Sequence, residues 1–235
     1  FLWIYTSFPA TSIEGINVEN ARYRSGTLLA TRDREAGFTA DIVAGVPDSG
    51  VGHAIGYSNE SGIPYARPMV KYTPSWARSY MPSEQSRRDL IASMKLIAIP
   101  ELIRDKRIVI CDDSIVRGTQ LKNLVKEKLL ANGAKEVHLR IACPPLMFPC
   151  LYNQSTRTPK ELAARKAIRL LEGEEIPDIG PYLDEDSPKY RQMVETIRRE
   201  LGAHTLVYQR LDDMATAIGL PVDKICTYCW NGRPS

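Results

Sequence analysis

The stretch at residues 108–119, with the sequence IVICDDSIVRGT, most constrains what this chain can fold into. Its apolar first part predicts a buried strand, and apolar residues at helical spacing then predict a helix, at Leu121, Leu124, Val125 and Leu129. The polar loop therefore lies where a strand leads into a helix N-terminus, whose backbone N–H groups attract anions. The acidic pair, Asp112 and Asp113, repels a phosphate, so it suits sugar hydroxyls or a cation. An acidic turn taken alone is most often only a helix cap.

The composition sets wider limits. The chain has 235 residues, 43% of them hydrophobic and 25% charged, and a net charge of +3, which predicts one sizeable α/β domain or a domain with a subdomain. There is no basic excess of the kind that nucleic-acid binding needs, no apolar run as long as a membrane span and no signal peptide. We expect a cytoplasmic protein that binds neither nucleic acid nor membranes. Because the chain starts at Phe1, inside an apolar run, we expect a fragment of a longer protein.

Strands and helices alternate along the sequence. Strands are predicted at Trp3–Thr6, Ile42–Val46, Ala66–Lys71, 108–111 and Val137–Ala142, and helices at Val18–Leu29 (capped by Asn17), Ala54–Ser61 (ending near Gly62), 88–94 and 120–132 (ended by Gly133). This alternation predicts a parallel sheet, and ligands of such sheets bind at the carboxyl ends of the strands. The loops at 47–52 and 112–119 should therefore meet. Residues 72–87 are predicted to form a mobile lid and residues 157–200 a peripheral helical insertion.

The loop after the strand at 42–46 reads VPDSG over residues 46–50. Its Ser49 and flexible Gly50 offer N–H groups that suit a diphosphate, although such a sequence taken alone is most often only a turn. Neither the G-x-x-x-x-G-K-[ST] nor the G-x-G-x-x-G pattern is present, which argues against nucleotide hydrolysis and dinucleotide binding.

These loops, together with GYSNESGIPY at 56–65, resemble type I phosphoribosyltransferases, and especially the glutamine phosphoribosylpyrophosphate (PRPP) amidotransferase family. The resemblance implies an α/β fold with a central, mostly parallel sheet flanked by helices, a phosphoribosyltransferase core at 1–152 and a helical C-terminal extension at 153–235. It also implies which residues bind substrate: Asp48, Ser49 and Gly50 at the diphosphate, Asp112 and Asp113 at the ribose hydroxyls, and Ser114, Ile115, Val116, Arg117, Gly118 and Thr119 at the 5-phosphate. Ser49, Asp112 and Asp113 would also help to position Mg²⁺.

Lys71 and Arg78 are the candidate catalytic cations. ARSYMP at residues 77–82 resembles the lid segment of the same family, and a planar guanidinium grips diphosphate oxygens well. Residues 72–76 depart from the commonest wording of that segment, so Arg78 is the safer of the two assignments. The alternative is a solvated, charged loop.

The five cysteines are an odd set without secretory context, which argues against a disulfide framework. Cys226 and Cys229 form a C-x-x-C pair that suits zinc, an iron-sulfur cluster or a redox disulfide. The resemblance adds Cys150 and implies a 4Fe-4S cluster, whose fourth cysteine would lie just upstream of residue 1. Cys111 and Cys143 fit better as small apolar residues. We expect no catalytic role for the three histidines, His53, His138 and His204.

The resemblance implies transfer of an amino group from ammonia to C1 of PRPP, giving 5-phosphoribosylamine and diphosphate, the first step of purine synthesis. A fused glutaminase domain, absent from this chain, would supply the ammonia from glutamine, and the protein would be a homo-oligomer. Three alternatives stay open: a salvage phosphoribosyltransferase that uses a nucleobase, a PRPP-binding regulator without turnover, and an iron-sulfur or zinc scaffold.

Overall fold

The structure is a computed structural model that describes residues 1–71, 96–152 and 158–233. The chain opens with a π-helical turn at Leu2–Thr6 and a short hairpin, β1 (Ser12–Ile13) and β2 (Ile16–Asn17). Helix α1 (Val18–Glu35) begins where the Asn17 side chain accepts a 3.0 Å hydrogen bond from the Asn20 N–H, as its sequence predicts. The strand predicted at Trp3–Thr6 is wrong. Trp3 and Ile4 are adjacent and both buried, which a helical turn permits and an alternating strand on one sheet face does not.

The elements then alternate as the sequence predicts: β3 (Ile42–Gly45), α2 (Val51–Ser61), β4 (Met69–Lys71), β5 (Leu96–Ala98), α3 (Pro100–Ile103), β6 (Arg107–Asp112) and α4 (Thr119–Asn123). The helix predicted over 120–132 changes type along its length, because α4 continues as a π-helix at Leu124–Leu129 and a 3₁₀ turn at Leu130–Asn132. It ends at Gly133 in the left-handed conformation, as predicted. The remaining elements are β7 (Glu136–Ile141), α5 (Ala163–Glu172), α6 (Pro188–Leu201), β8 (Thr205–Tyr208), α7 (Leu211–Ile218) and α8 (Tyr228–Asn231).

The central sheet contains four parallel strands in the order β3-β6-β7-β8. Its register aligns Gly45 of β3 with Cys111 of β6, so the loops that follow these two strands emerge side by side. A separate antiparallel pair, β4 and β5, flanks the residues 72–95. The predicted mobile lid, with Arg78, and the predicted helix at 88–94 lie outside the described residues.

Helices cover both faces of the sheet, as an α/β fold requires. Val109 and Cys111 point toward α1 and α2, where they pack with Leu29, Ala54 and Tyr57. Ile108 and Ile110 belong to the larger cluster on the opposite face, which includes Leu124, Val125, Leu129 and Met193. The strands carry near-continuous apolar residues because both faces are buried.

Strand β8 comes from the segment that the sequence assigns to a helical extension. That segment is therefore helical in most but not all of its length, and one of its strands completes the central sheet. The division of the chain into domains at residue 152 stays a prediction. Among the described residues, no helix combines the length and the apolar character that crossing a membrane requires.

Candidate functional site

The two predicted ligand loops meet at the carboxyl ends of β3 and β6. The Ser49 hydroxyl, in the loop after β3, donates a 2.7 Å hydrogen bond to Asp112 Oδ1 at the end of β6. The Val46 N–H donates to the carbonyl of Cys111 at 3.0 Å, which ties the two backbones together. This position at the carboxyl edge of a parallel sheet is where such folds bind ligands.

Asp112 and Asp113, the carboxylate pair of this site, are 9% and 6% exposed. Their oxygens accept hydrogen bonds from neutral donors: Asp112 from Ser49 and from the Asp113 N–H at 2.9 Å, and Asp113 from the Ser114 hydroxyl at 2.6 Å. Burial, and then the charge of Asp113, raises the pKa of Asp112 well above its ordinary value, and burial raises the pKa of Asp113 too. Neither carboxylate forms an ion pair with any of the described residues, although the charges of Arg22 and Asp113 interact at longer range, so no cation in the described part of the chain contacts the pair.

Gly50 has a role that differs from the predicted one. Its N–H donates to the Val46 carbonyl at 2.8 Å, so it is engaged within the turn and does not point toward a ligand. A Cβ at this position would lie 2.0 Å from the Cys111 carbonyl oxygen. Glycine is therefore needed because the backbone of this loop packs directly against β6.

Several backbone donors of the loop at residues 113–119 have no partner among the described residues. The N–H groups of Ile115, Val116 and Gly118 have no hydrogen-bond acceptor within residues 1–71, 96–152 and 158–233. Gly118 has φ of +80° and directs the chain into α4. Several unpaired N–H groups in one loop beside a helix start form a concave donor set that suits a phosphate.

The segment after residue 157 supports this loop from outside. The Ala163 N–H donates to the Val116 carbonyl at 2.7 Å, and Arg117 pairs with Glu161 through its Nε at 3.0 Å. A Cβ on Gly118 would lie 3.4 Å from a methyl group of Leu201 in α6. Sequence reasoning missed these contacts and treated residues 157–200 as peripheral, because no local pattern reports a contact across more than 40 residues.

Lys71, one of the two predicted catalytic cations, lies on the rim of the site. Its Nζ is 3.2 Å from Asp48 Oδ2, and both side chains are largely exposed. The structure thus joins two predicted site residues to each other, and the Lys71 ammonium pairs with Asp48 and not with the carboxylate pair. The Pro47–Asp48 peptide bond in this loop is cis.

The three predicted cluster ligands also come together. The Met147 and Phe148 N–H groups donate to the Cys229 carbonyl at 2.8 and 3.0 Å, which fixes the segment before Cys150 against the C-x-x-C segment. Burial, then the charge and hydrogen bond of Cys150, and then the charge of Cys226 raise the pKa of Cys229 to about 12. The ring of Phe1 lies 6.3 Å from that of Trp230, so the first residues reach the same place. None of the five cysteines, all of which are described, forms a disulfide bond.

The residues that sequence reasoning set aside are local structural groups. Cys111 and Cys143 are fully buried, as expected of small apolar residues. His53 is fully buried with its Nε2 3.3 Å from the Ile4 carbonyl, and burial lowers its pKa to about 4. His138 contacts Glu136 and Thr205, and His204 accepts from the Val137 N–H.

The side chains of the described residues do not by themselves form a closed metal site. Across the described parts of the chain, no group of three His, Cys, Asp or Glu side chains is arranged to hold a metal ion. The carboxylate pair supplies only two acidic ligands, and the cysteine cluster brings its thiols near one another without closing a site.

A parallel α/β sheet with a carboxylate pair and an open N–H loop at the end of one strand, and a serine-bearing loop at the end of its neighbour, defines a domain of the type I phosphoribosyltransferase class. No protein-family model matches the chain. It is 36% identical over 233 residues to the amidophosphoribosyltransferase of Mycobacterium tuberculosis (strain ATCC 25618 / H37Rv), covering 99% of this chain and 40% of that protein. It is 35% identical over 235 residues to the amidophosphoribosyltransferase of Bacillus subtilis (strain 168), covering 98% and 43%.

A solved structure agrees with these relatives. The glutamine PRPP amidotransferase from B. subtilis, complexed with ADP and GMP, superposes with a TM-score of 0.76 at 35% identity, covering 99% of this chain and 46% of that one. Over the stretch that matches, the chain belongs to the amidophosphoribosyltransferase family. It spans less than half the length of these relatives, so what the whole proteins do is carried over to it only as a proposal.

Proposed function

We propose that this chain performs the phosphoribosyl-transfer half of the amidophosphoribosyltransferase reaction, in which ammonia displaces diphosphate from C1 of PRPP to give 5-phosphoribosylamine. The observation that carries the proposal is the adjacency, at the end of β6, of a carboxylate pair that contacts no described cation and a loop with open N–H groups, beside the Ser49 loop of β3. A sugar with a 5-phosphate and neighbouring hydroxyls matches both features. The family relationship supports this reaction over attachment of a nucleobase and over binding without turnover.

Each part of the site has a task in this reaction. The N–H groups of Ile115, Val116 and Gly118 would bind the 5-phosphate, and Asp112 and Asp113 would accept hydrogen bonds from the ribose hydroxyls. This places C1 beside the loop that carries Ser49. Departure of diphosphate builds positive charge on the ribose ring, which the carboxylate pair stabilises, and negative charge on the leaving group, which Lys71 and Arg78 would stabilise.

The carboxylate pair fits Mg²⁺ on its chemistry. Mg²⁺ prefers oxygen ligands, keeps several waters, and is usually held by one or two carboxylates together with substrate phosphates. Asp112, Asp113 and Ser49 would supply the protein part of that set, and the cation would add charge stabilisation at the diphosphate. Since only two carboxylates are available, we expect weak binding of Mg²⁺ alone and tighter binding with PRPP.

The test is an assay with isotope-labelled PRPP, ammonia and Mg²⁺ that measures diphosphate release and labelled phosphoribosylamine. Replacing the pair by asparagine, D112N with D113N, should lower the rate by at least about 100-fold, because removal of one key electrostatic contact already costs that much. The change preserves side-chain volume, so the fold should persist. D212N, on the exposed start of α7, is the matched control and should leave the rate unchanged.

Three outcomes would contradict the proposal. An unchanged rate in the double variant removes the site assignment, and diphosphate release that requires a nucleobase favours the salvage reaction. Tight PRPP binding without any ammonia-dependent release favours a regulator. Glutamine in place of ammonia should release no glutamate from this chain.

The cysteine cluster is proposed to hold a 4Fe-4S cluster, with Cys150, Cys226 and Cys229 as three ligands and a fourth cysteine upstream of residue 1. Their mutual proximity supports this proposal, since thiolates in one place are the usual ligands of such clusters. Anaerobic purification of a longer chain that includes the upstream residues should give a brown protein with iron and sulfide. C226S should lose that colour, whereas C111A, a change in the apolar core, should keep it. A folded, iron-free longer chain would refute the cluster.

The family relationship also supports proposals about the longer protein. A glutaminase domain in the longer protein would deliver ammonia to the carboxylate-pair site, the protein would assemble as a homo-oligomer, and it would work in the cytoplasm. Size-exclusion chromatography with light scattering of the longer protein tests the assembly, and a monomer at micromolar concentration would disprove it.

A further inference from the structure

A second polar cavity lies beside β8, away from the carboxylate pair. Its volume is about 270 Å³, and it is lined by β8, by one side of α6 and by the end of α1. Among the apolar lining residues, Val194 and Leu206 pack on the same side of the sheet, whereas Val207 faces the other side, and the tyrosines Tyr190 and Tyr208 also line the cavity. Four arginines and two glutamates surround it, namely Arg32, Arg191, Arg198, Arg210, Glu185 and Glu195. The lining therefore carries an excess of two positive charges.

The arginines differ in how many of their N–H groups are already used. Arg198 uses all three of its nitrogens, since it donates to both oxygens of Glu195 and to the Ala203 carbonyl. Arg32 donates one bond, from Nη1 to the Tyr208 carbonyl at 3.0 Å, and Arg210 has its Nε 3.3 Å from Glu185. A guanidinium has five N–H donors in a fixed fork. Arg32 and Arg210 therefore keep donors for a further acceptor.

Tyr190 provides an independent sign of a missing partner. Its backbone N–H is bonded to the Ser187 cap, but its hydroxyl has no hydrogen-bond partner in the described part of the chain. Burial, and then the charge of Glu185, raise the pKa of this hydroxyl, while the charges of Arg32 and Arg210 lower it, so these two cations and Glu185 all lie close to it. Tyr190 is half-buried and lines the cavity, so its hydroxyl is accessible there and can donate to a bound acceptor.

We propose that this cavity binds a small organic phosphate, with the phosphate held by Arg32, Arg210 and the Tyr190 hydroxyl and the carbon body resting on Val194 and Leu206. The phosphate matches the fork geometry of the two arginines and accepts from the hydroxyl. Val194 and Leu206 give a carbon body a surface that inorganic phosphate cannot use. This site shares no residue with the carboxylate pair or its loops, so it stands or falls independently of the proposed reaction.

The test is an NMR titration of backbone amides in the whole chain with three probes: phenyl phosphate, inorganic phosphate and phenol. Amide shifts resolve the two places at which a phosphate can bind, because Val207 and Tyr190 report on the cavity while Val116 and Gly118 report on the loop after β6. Phenyl phosphate should cause saturable shifts at the cavity and bind at least about tenfold more tightly there than either other probe.

Variants then assign the contacts. Y190F and R210Q should each weaken phenyl phosphate at the cavity by about tenfold, because a hydrogen bond to a charged group is worth that much or more. Their effect at Val116 and Gly118 should be nil. R199Q is the matched control: Arg199 sits on the same helix and pairs with Glu195, but it is exposed and does not line the cavity. Unshifted amides far from the cavity confirm that each variant folds.

Four results would overturn the proposal. The absence of saturable shifts at Val207 and Tyr190 removes the site. Equal weakening by R199Q and R210Q shows a general charge effect. Phenol binding as tightly as phenyl phosphate shows an apolar cavity without phosphate recognition, and inorganic phosphate binding as tightly shows that no carbon body is recognised.

Discussion

Buried acidic side chains lie at two places next to the central sheet, one on α1 and one at the end of β6. Among the described residues, only the first forms an ion pair. Asp33 of α1, 7% exposed, receives two N–H donors from Arg140 of β7, at 2.5 and 3.0 Å, and the Tyr57 hydroxyl at 2.5 Å. Asp112 and Asp113 are buried to a similar degree but contact only neutral donors. The charge of Asp33 is neutralised by Arg140. Asp112 and Asp113, in contrast, form no ion pair with any of the described residues.

This difference separates a structural group from a ligand-binding one. A buried charge without a partner is costly, so a protein keeps one only where something else supplies the compensation. Arg140 is nearly fully buried, and the Phe38 ring lies 4.6 Å from its guanidinium, which leaves no room for a ligand at Asp33. The carboxylate pair instead opens onto two loops at the edge of the sheet. We therefore expect stability to fall when Asp33 or its partners are changed, and not to fall when Asp112 loses its charge.

The largest effect is expected from R140M. This change leaves Asp33 charged, buried and without its cation, which typically costs about 3–5 kcal/mol. Urea denaturation followed by circular dichroism measures the free energy of unfolding. The control is R199M, which breaks an exposed pair with Glu195 and should change stability by about 0.5 kcal/mol or less. A loss below about 1 kcal/mol in R140M would mean that Asp33 is not held as a charged group.

A smaller loss is expected from Y57F. Tyr57 is fully buried, and burial together with the hydrogen bond to Asp33 raises the pKa of its hydroxyl, so that hydroxyl keeps its proton and donates. Removing it takes one donor from a buried carboxylate and should cost about 1–3 kcal/mol in the same measurement. Y65F is the matched control, because the Tyr65 hydroxyl has no partner among the described residues. Equal effects of the two changes would show that the Asp33 bond contributes nothing specific.

The sequence predicts the carboxylate-pair site well and the Asp33 site not at all. The strand, the acidic pair and the loop glycine are consecutive, so their order alone places them at the end of one strand. The alternation of strands and helices then predicts that the loop with Ser49 joins them, and the 2.7 Å bond to Asp112 confirms it. By contrast, Asp33 and Arg140 are 107 positions apart, and no pattern in the sequence pairs them.

Long-range packing explains the other differences. The sequence around Gly50 is typical of an anion-binding glycine. In the structure, the Cys111 carbonyl on another strand lies so close that no side chain fits at this position. Residues 157–200 look like a charged helical insertion, but Glu161 and Ala163 bind the loop that follows the carboxylate pair. The start of α1 at Asn17 and the end of α2 at Gly62 were predictable because they depend on local residues, whereas α1 continues to Glu35, six residues past the predicted end at Leu29, and α2 begins three residues early, at Val51.

D112N should act in the opposite direction to R140M. The change removes one of two like charges while the asparagine oxygen can still accept from Ser49 and from the Asp113 N–H. We therefore expect the free energy of unfolding at neutral pH to stay the same or rise, by less than Y57F lowers it, even though activity is lost. D33N, which strips the counter-charge from buried Arg140, should instead destabilise the protein. A clear loss of stability in D112N would mean that the Asp112 carboxylate stabilises the fold, as that of Asp33 does.

The smallest effect is the pH dependence of the change in the free energy of unfolding that D112N causes. Since burial and the charge of Asp113 raise the folded-state pKa of Asp112, the folded protein binds more protons than the unfolded chain at any pH between the ordinary carboxyl pKa of about 4 and the raised value. The stability contributed by Asp112 is therefore full below pH about 4 and is lost as the pH rises through the folded pKa. The difference between D112N and the unchanged protein should accordingly grow from pH 4 toward neutral pH, measured by urea denaturation at several pH values. A difference that is constant with pH would mean that Asp112 titrates normally, and the contrast with Asp33 would then be one of contacts alone.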